Sequence, residues 1–123
     1  MFREGQDKRT EKRKQGDDKE RLAESYLVQQ DFELIERNFS CKTGEIDLIM
    51  RDQDYLVFVE VRYRENAEFG GALASITRSK QNKLRRTAEF YLLEKFGNTP
   101  PACRFDAIGI EGEDTIEWVK NAF

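Results

Sequence analysis

Histidine is absent from this chain of 123 residues, and the absence removes whole classes of chemistry. Without an imidazole there is no Ser-His-Asp triad, no His-ligated zinc and no His general base. Cysteine is scarce as well. Cys41 and Cys103 lack any metal-ligand spacing and read as reduced thiols. No apolar run approaches the roughly 20 residues that a bilayer-crossing helix needs. The first residues are charged rather than apolar, so no secretory signal is expected and the cytoplasm is the expected location. Any catalysis must then draw on carboxylates, Lys and Arg, hydroxyls, or a hard oxygen-ligated ion.

What is abundant is charge of both signs. Charged residues make up 37% of the chain, yet the net charge is only −3, a balance that favours solubility and names no partner. The distribution says more. Residues 1–21 carry eight Lys/Arg against six acids, and Arg78–Arg86 carry five basic residues and no acid. The stretch from Phe105 onward is acidic, through Asp106, Glu111, Glu113, Asp114 and Glu117. Basic charge is therefore placed where it could form a patch.

The length suits one domain with one hydrophobic core. Residues 1–16 are polar and almost free of apolar side chains, and read as a flexible charged tail. A helix is expected from Asp17 or Asp18 to about Gln30, with Leu22, Ala23, Tyr26 and Leu27 at helical spacing. Phe32–Arg37 reads as a strand, Glu45–Arg51 and Tyr55–Arg62 as a hairpin, and 63–77 as a loop holding Gly70-Gly71. A second helix is expected from Arg78 to Phe96, with Leu84, Ala88, Tyr91, Leu92 and Phe96 on its core stripe. Asn98-Thr99-Pro100-Pro101 breaks it. Arg104–Ile110 and Thr115–Val119 complete the order α-β-β-β-α-β-β, an α/β domain over 17–123 on a mixed five-stranded sheet flanked by helices.

Two acids stand inside β-rich apolar runs: Asp47 in Gly44-Glu45-Ile46-Asp47-Leu48-Ile49, and Glu60 in Val57-Phe58-Val59-Glu60-Val61-Arg62. Leu56 and Phe58 share the face of Glu60 while Val57, Val59 and Val61 fill the other, so this strand is expected to be covered on both sides. A buried, unpaired charge neutralises or is kept by a cation. If the hairpin loop holds an even number of residues, positions summing to 107 face each other and Asp47 lies opposite Glu60. An odd loop would put the two acids on opposite faces. Like charges directly opposed destabilise a ladder unless something positive lies between them.

Two further residues have competing readings. Glu20 shares a helix face with Ala23, Glu24 and Leu27, yet Asp17-x-x-Glu20 resembles a capping box with Glu20 at N3, and the cap is the favoured reading. Lys80 falls on the inward stripe of the second helix. With Thr77 as N-cap, Lys80 occupies N3, where a cation opposes the helix dipole, and Arg78 repeats the conflict. Such a start suits a phosphate-binding site. It equally suits a solvated basic face with Lys80 snorkelling. Arg78, Lys83, Arg85 and Arg86 then read as nucleic-acid-binding residues beside it. Gly70-Gly71 lacks any P-loop or dinucleotide fingerprint and reads as a flexible turn.

An acid in a first helix, Asp at the start of a hairpin and Glu-x-Lys in the next strand form the pattern that this chain resembles: the PD-(D/E)xK nuclease core. It departs at the last position, where Glu60-Val61-Arg62 carries Arg. More specifically, Glu20-x-x-Ala23-x-x-Tyr26-Leu27, Arg37-Asn38, the two strand motifs, Gly70, Lys80, Arg104-Phe105-Asp106 and Asn121-Ala122-Phe123 look like the YraN family of small bacterial proteins, over about residues 17–123. That family is regarded as restriction-endonuclease-like and similar to archaeal Holliday-junction resolvases. The resemblance implies a restriction-endonuclease-like fold and a metal-dependent endonuclease acting on DNA phosphodiesters, with branched DNA as a candidate substrate. The alternative it leaves open is a catalytically silent nucleic-acid-binding module on the same fold. It implies Glu20, Asp47 and Glu60 as ligands of Mg²⁺ or Mn²⁺, with Arg62 where the catalytic Lys belongs. Arg stays protonated and cannot act as a base, so either the metal-activated water suffices, Lys80 supplies the ammonium, or catalysis is lost. DNA is the expected partner, no membrane is expected, and a homodimer is open.

Overall fold

The computed structural model describes residues 8–65, 71–113 and 115–123; Gly70 and the first seven residues of the expected tail lie outside them. The elements run α1 (Lys8–Gln29), β1 (Glu33–Cys41), β2 (Gly44–Asp52), β3 (Tyr55–Arg64), α2 (Arg78–Phe96), β4 (Cys103–Glu111) and β5 (Thr115–Val119), with a short 3-10 turn at Leu73–Ser75. Their order matches the expected α-β-β-β-α-β-β. One boundary does not: α1 begins at Lys8, so residues 8–16 are helical rather than tail-like. Asp17 then lies inside the helix and cannot be its N-cap, and the capping-box reading of Glu20 falls with it. No helix among the described residues is long and apolar enough to cross a membrane.

The five strands form one sheet in the order β1-β2-β3-β4-β5. All neighbours are antiparallel except β3 and β4, which run parallel. A parallel pair needs a long crossover, and α2 lies within it. This mixed α/β arrangement is compatible with a restriction-endonuclease-like core. α2 starts where the sequence placed it, because the Thr77 hydroxyl accepts the Lys80 backbone N–H at 3.2 Å. It stops at Gly97, whose φ of 60° is a conformation that a side chain resists.

Each face of the sheet carries its own apolar cluster. Ala23 and Leu27 of α1 pack with Leu48, Met50, Val57, Val59, Ile108 and Ile110 on one face. Leu84, Ala88 and Tyr91 of α2 pack with Phe39, Ile46, Ile49, Leu56 and Phe58 on the other. Strand β3 is thus covered on both sides, as the apolar pattern around Glu60 required.

The strand period of two holds along β3 and breaks once in β2. Ile49 faces α2 and Leu48 faces α1, so regular alternation would send Ile46 toward α1. Ile46 instead joins the α2 cluster. The irregularity falls on Asp47 and on the stretch of β1 facing it, where Asn38 adopts a positive φ of 54°. Asn is one of the few residues that tolerate that region. The kink re-aims Ile46 without ending the strand or shifting its register against β1, where Arg37 pairs Leu48 and Phe39 pairs Ile46.

Candidate active site

Between β2 and β3 the ladder follows the sum-107 register from Asp52↔Tyr55 to Leu48↔Val59, closed by the two-residue turn Gln53-Asp54. It stops one step short of Asp47 and Glu60. A continued ladder would pair Val61 with Ile46. Instead the Val61 N–H donates to Asp47 Oδ2 at 2.8 Å. The side chain of Asp47 therefore stands in for backbone and wedges the two strands apart. The Glu60 carboxyl, on the face covered by α2, lies beside that of Asp47. Glu20, arriving from α1 on the other face, comes close to the same carboxyl, whose charge acts on it. The structure brings the three expected acids together as a chain centred on Asp47.

All three carboxyls hold their protons more tightly than usual. Burial first, and then the Asp47 charge, push Glu20 and Glu60 up to about 8. Burial also raises Asp47, partly offset by the Val61 N–H, by the neighbouring Glu60 carboxyl and by the nearby Arg62 charge. Desolvation and like charge both disfavour the anions, and both are relieved by a bound cation. Among the described residues, no group of three or more acids or thiols is placed so that it could hold a metal ion. Mg²⁺, however, commonly takes one or two carboxylates and completes its shell with water and substrate phosphate. The neighbouring carboxyls of Asp47 and Glu60 fit that demand, with Glu20 near Asp47 on its other side.

The cations lie on the α2 side. Arg62 Nη2 contacts Glu60 Oε2 at 2.5 Å, while its buried Nε has no hydrogen-bond partner among the described residues. Lys80 is exposed, and its charge favours the ionised form of Glu60. A cavity of about 130 Å³ joins these groups, lined by Gly44, Glu45, Glu60, Arg62, Lys80, Lys83, Leu84 and Thr87. Lys83, expected as a nucleic-acid contact, therefore stands in the site itself.

The rest of the basic run divides. Arg78 and Arg86 are exposed. Arg85 lays its guanidinium over Phe105 and Phe123, with the charge centre 5.3 and 5.7 Å from the ring centroids, so it also closes the C-terminus onto the sheet. Arg104-Phe105-Asp106 serves the fold. Asp106, fully buried, accepts two bonds from Arg104, one from Trp118 Nε1 and one from the Asn121 N–H.

Sequence reasoning missed the back wall of the cavity. Thr87, fully buried in α2, donates to the Lys83 carbonyl at 2.9 Å and shares a 2.9 Å hydrogen bond with Thr43. A Cβ on Gly44, whose φ is 150°, would come within 3.1 Å of the Thr87 hydroxyl, so glycine is what lets the start of β2 approach the helix. The available signal was Thr87 itself, a β-branched polar residue three positions after Leu84 on an otherwise apolar stripe.

Residues 19–110 match the profile described as uncharacterised protein family UPF0102. A UPF0102 protein of Nitrosomonas europaea is 54% identical over 110 residues, covering 88% of this chain and 92% of that protein. One from Psychromonas ingrahamii is 53% identical over 105 residues, covering 85% and 84%. One from Aliivibrio fischeri is 47% identical over 118 residues, covering 94% and 96%. The matched span holds Glu20, Asp47, Glu60, Arg62 and Lys80, and the chain belongs to UPF0102, the YraN family that its motifs resemble.

Proposed function

We propose that this protein is a divalent-metal-dependent endonuclease that hydrolyses DNA phosphodiesters, with branched DNA as the first substrate to test. One observation carries the reading: Asp47 lies close to both Glu20 and Glu60, while Arg62, Lys80 and Lys83 share one cavity with Glu60. A site that sets raised-pKa carboxyls against cations suits a cation and a phosphate held side by side.

In this reading Asp47 and Glu60 hold Mg²⁺ or Mn²⁺, which supplies Lewis-acid polarisation of the phosphodiester. Glu20 keeps Asp47 oriented from the α1 side. Arg62 remains a cation at every working pH and stabilises charge developing on the phosphate without moving a proton. Lys80, on a flexible stem at the start of α2, supplies the ammonium that the motif usually places where Arg62 stands. Lys83 and the amide groups opening α2 orient the phosphate.

A silent binding module on the same fold is the second reading, and the contact between Arg62 and Glu60 favours it. A guanidinium already neutralising Glu60 competes with a metal for the same oxygens. The deciding experiment is cleavage of duplex, flap and four-way-junction DNA with Mg²⁺ and with Mn²⁺, wild type beside Asp47→Ala. Metal-dependent cleavage by the wild type alone supports the endonuclease. No cleavage under either metal, together with no metal binding by calorimetry, would leave the binding module in first place.

A further inference from the structure

Arg104 and Arg62 use their guanidinium forks differently. Arg104 engages all three nitrogens in the fold. Its Nε and Nη2 bond the two Asp106 oxygens at 2.9 and 3.1 Å, and its Nη1 reaches Asp52 Oδ2 at 2.9 Å. Arg62 meets Glu60 Oε2 through Nη2 alone, at 2.5 Å. Its Nε is buried and has no partner among the described residues.

Glu60 and Arg62 alternate with Val61 on β3 and so stand on one face of the strand. Their contact joins one nitrogen to one oxygen, whereas a guanidinium and a carboxylate that meet side-on make two parallel bonds. A buried donor without an acceptor is costly. In this position Arg62 Nε is shut away from solvent, so it gains an acceptor when the side chain turns outward. What it would turn into is the cavity of about 130 Å³ that Arg62 lines together with Glu60, Lys80 and Lys83. A phosphodiester entering there meets the two lysines and offers the planar fork of Arg62 a pair of oxygens.

The same contact acts on Glu60. Asp47 Oδ2 accepts the Val61 N–H, and Glu60 Oε2 holds Arg62. Each of the two carboxyls assigned to the metal thus has one oxygen engaged by the chain itself. A dication arriving alone must compete with a guanidinium for Glu60. A phosphate arriving alone must compete with Glu60 for that guanidinium. When both arrive, each removes the other's competitor.

We propose that Arg62 is an exchange residue, which neutralises Glu60 in the empty site, turns to the phosphodiester when nucleic acid enters, and thereby opens Glu60 to the metal. Metal and nucleic acid then bind cooperatively, and the free protein holds metal poorly. The inference rests on the metal and nucleic-acid readings above, adds to them how the site is regulated, and does not need cleavage. If the pair is closed about nine-tenths of the time, the free protein binds metal about tenfold more weakly than the open site. Linkage then requires metal to raise DNA affinity by the factor by which DNA raises metal affinity. The test uses the full chain, four-way-junction DNA, and Ca²⁺ as a hard, oxygen-ligated ion. In calorimetry without DNA, Arg62→Gln should bind Ca²⁺ about tenfold more tightly than the wild type. Ca²⁺ in place of EDTA should raise the DNA affinity of the wild type, and this gain should be about tenfold smaller in Arg62→Gln. The wild type supplies a direct readout: its Arg62 Nε–H resonance should move downfield on adding DNA in EDTA, as the unpaired donor finds a phosphate oxygen.

An Arg62 resonance unmoved by saturating DNA would overturn the inference, as would an Arg62→Gln variant that binds Ca²⁺ no more tightly than the wild type. Metal-dependent cleavage beside either result would leave the endonuclease standing without the exchange. A moving resonance and the expected Ca²⁺ coupling, with no cleavage in Mg²⁺ or Mn²⁺, would sink the endonuclease and leave the exchange in place.

Discussion

Val61 gives its backbone N–H to the Asp47 side chain at 2.8 Å, in the place where the sheet would otherwise continue. The same carboxyl thus closes a strand pairing and anchors the acid site. Asp47→Ala removes the acceptor and leaves a part-buried N–H unsatisfied, a loss of about 1–3 kcal/mol. Asp47→Asn keeps an oxygen for Val61 and removes a like charge, so its stability should stay within about 1 kcal/mol of wild type. Both variants should lose metal affinity, because a neutral amide is a poor ligand for a hard dication. Urea denaturation beside calorimetry separates the two roles; equal destabilisation by Ala and Asn would refute them.

The acid chain also predicts an unusual response to pH. Burial and the neighbouring Asp47 lift Glu20 and Glu60 from 4.5 to about 8. A carboxyl with a raised folded-state pKa binds its proton more tightly when folded. Its contribution is therefore fully present below about pH 4.5 and is lost as pH climbs to 8. Metal-free protein should melt at steadily lower temperature across that window. Mn²⁺ should raise the melting temperature more at pH 8 than at about pH 6, since the ion replaces protons. Glu60→Gln should flatten the trend. A wild type whose melting temperature is flat over the window would contradict the acid chain itself.

Much of this was legible in the sequence, and the reasons differ by residue. The α2 boundary followed from Thr77 and the Leu84, Ala88, Tyr91 stripe, because cap chemistry and helical period act locally. The hairpin register followed once the loop held two residues, a parity that Gln53-Asp54 did not announce. The start of α1 was misread because residues 8–16 lack the apolar period that marks a packed helix. The break in β2 was hidden because Leu48, Ile49 and Met50 form a continuous apolar run, which shows no face against which Ile46 could be read. Arg85 looked like a free cation because its ring partners, Phe105 and Phe123, lie far along the chain. The separate role of Asp106 was likewise invisible, since Trp118 and Asn121 reach it only through β4–β5 pairing.

Asp106 provides a control for activity measurements. Its carboxylate is fully buried and takes four donors, and removing one partner of a buried ion pair commonly costs about 3–5 kcal/mol. Arg104 keeps a 2.9 Å contact to Asp52, so the lower end of that range is expected for Asp106→Ala. Any loss of cleavage in this variant should track the unfolded fraction and recover at lower temperature. A fully folded but inactive Asp106→Ala would instead move this residue into the site.

The last question is which cation does the work of the missing Lys. Arg62 contacts Glu60 through Nη2 at 2.5 Å while its buried Nε has no partner among the described residues, so its planar fork is only half used. Arg62→Lys keeps the charge beside Glu60 and removes the unsatisfied donor, and stability should change by less than about 1 kcal/mol. Cleavage should be preserved or raised, because Lys is the residue the motif expects there. Lys80 is exposed, so Lys80→Ala should leave the melting temperature unchanged while abolishing cleavage if the helix ammonium acts in the reaction. The double variant Arg62→Lys, Lys80→Ala then decides between the positions: recovered cleavage means that either site can supply the ammonium. Full activity in Lys80→Ala alone would remove Lys80 from the reaction and leave Arg62 and the metal to stabilise the phosphate.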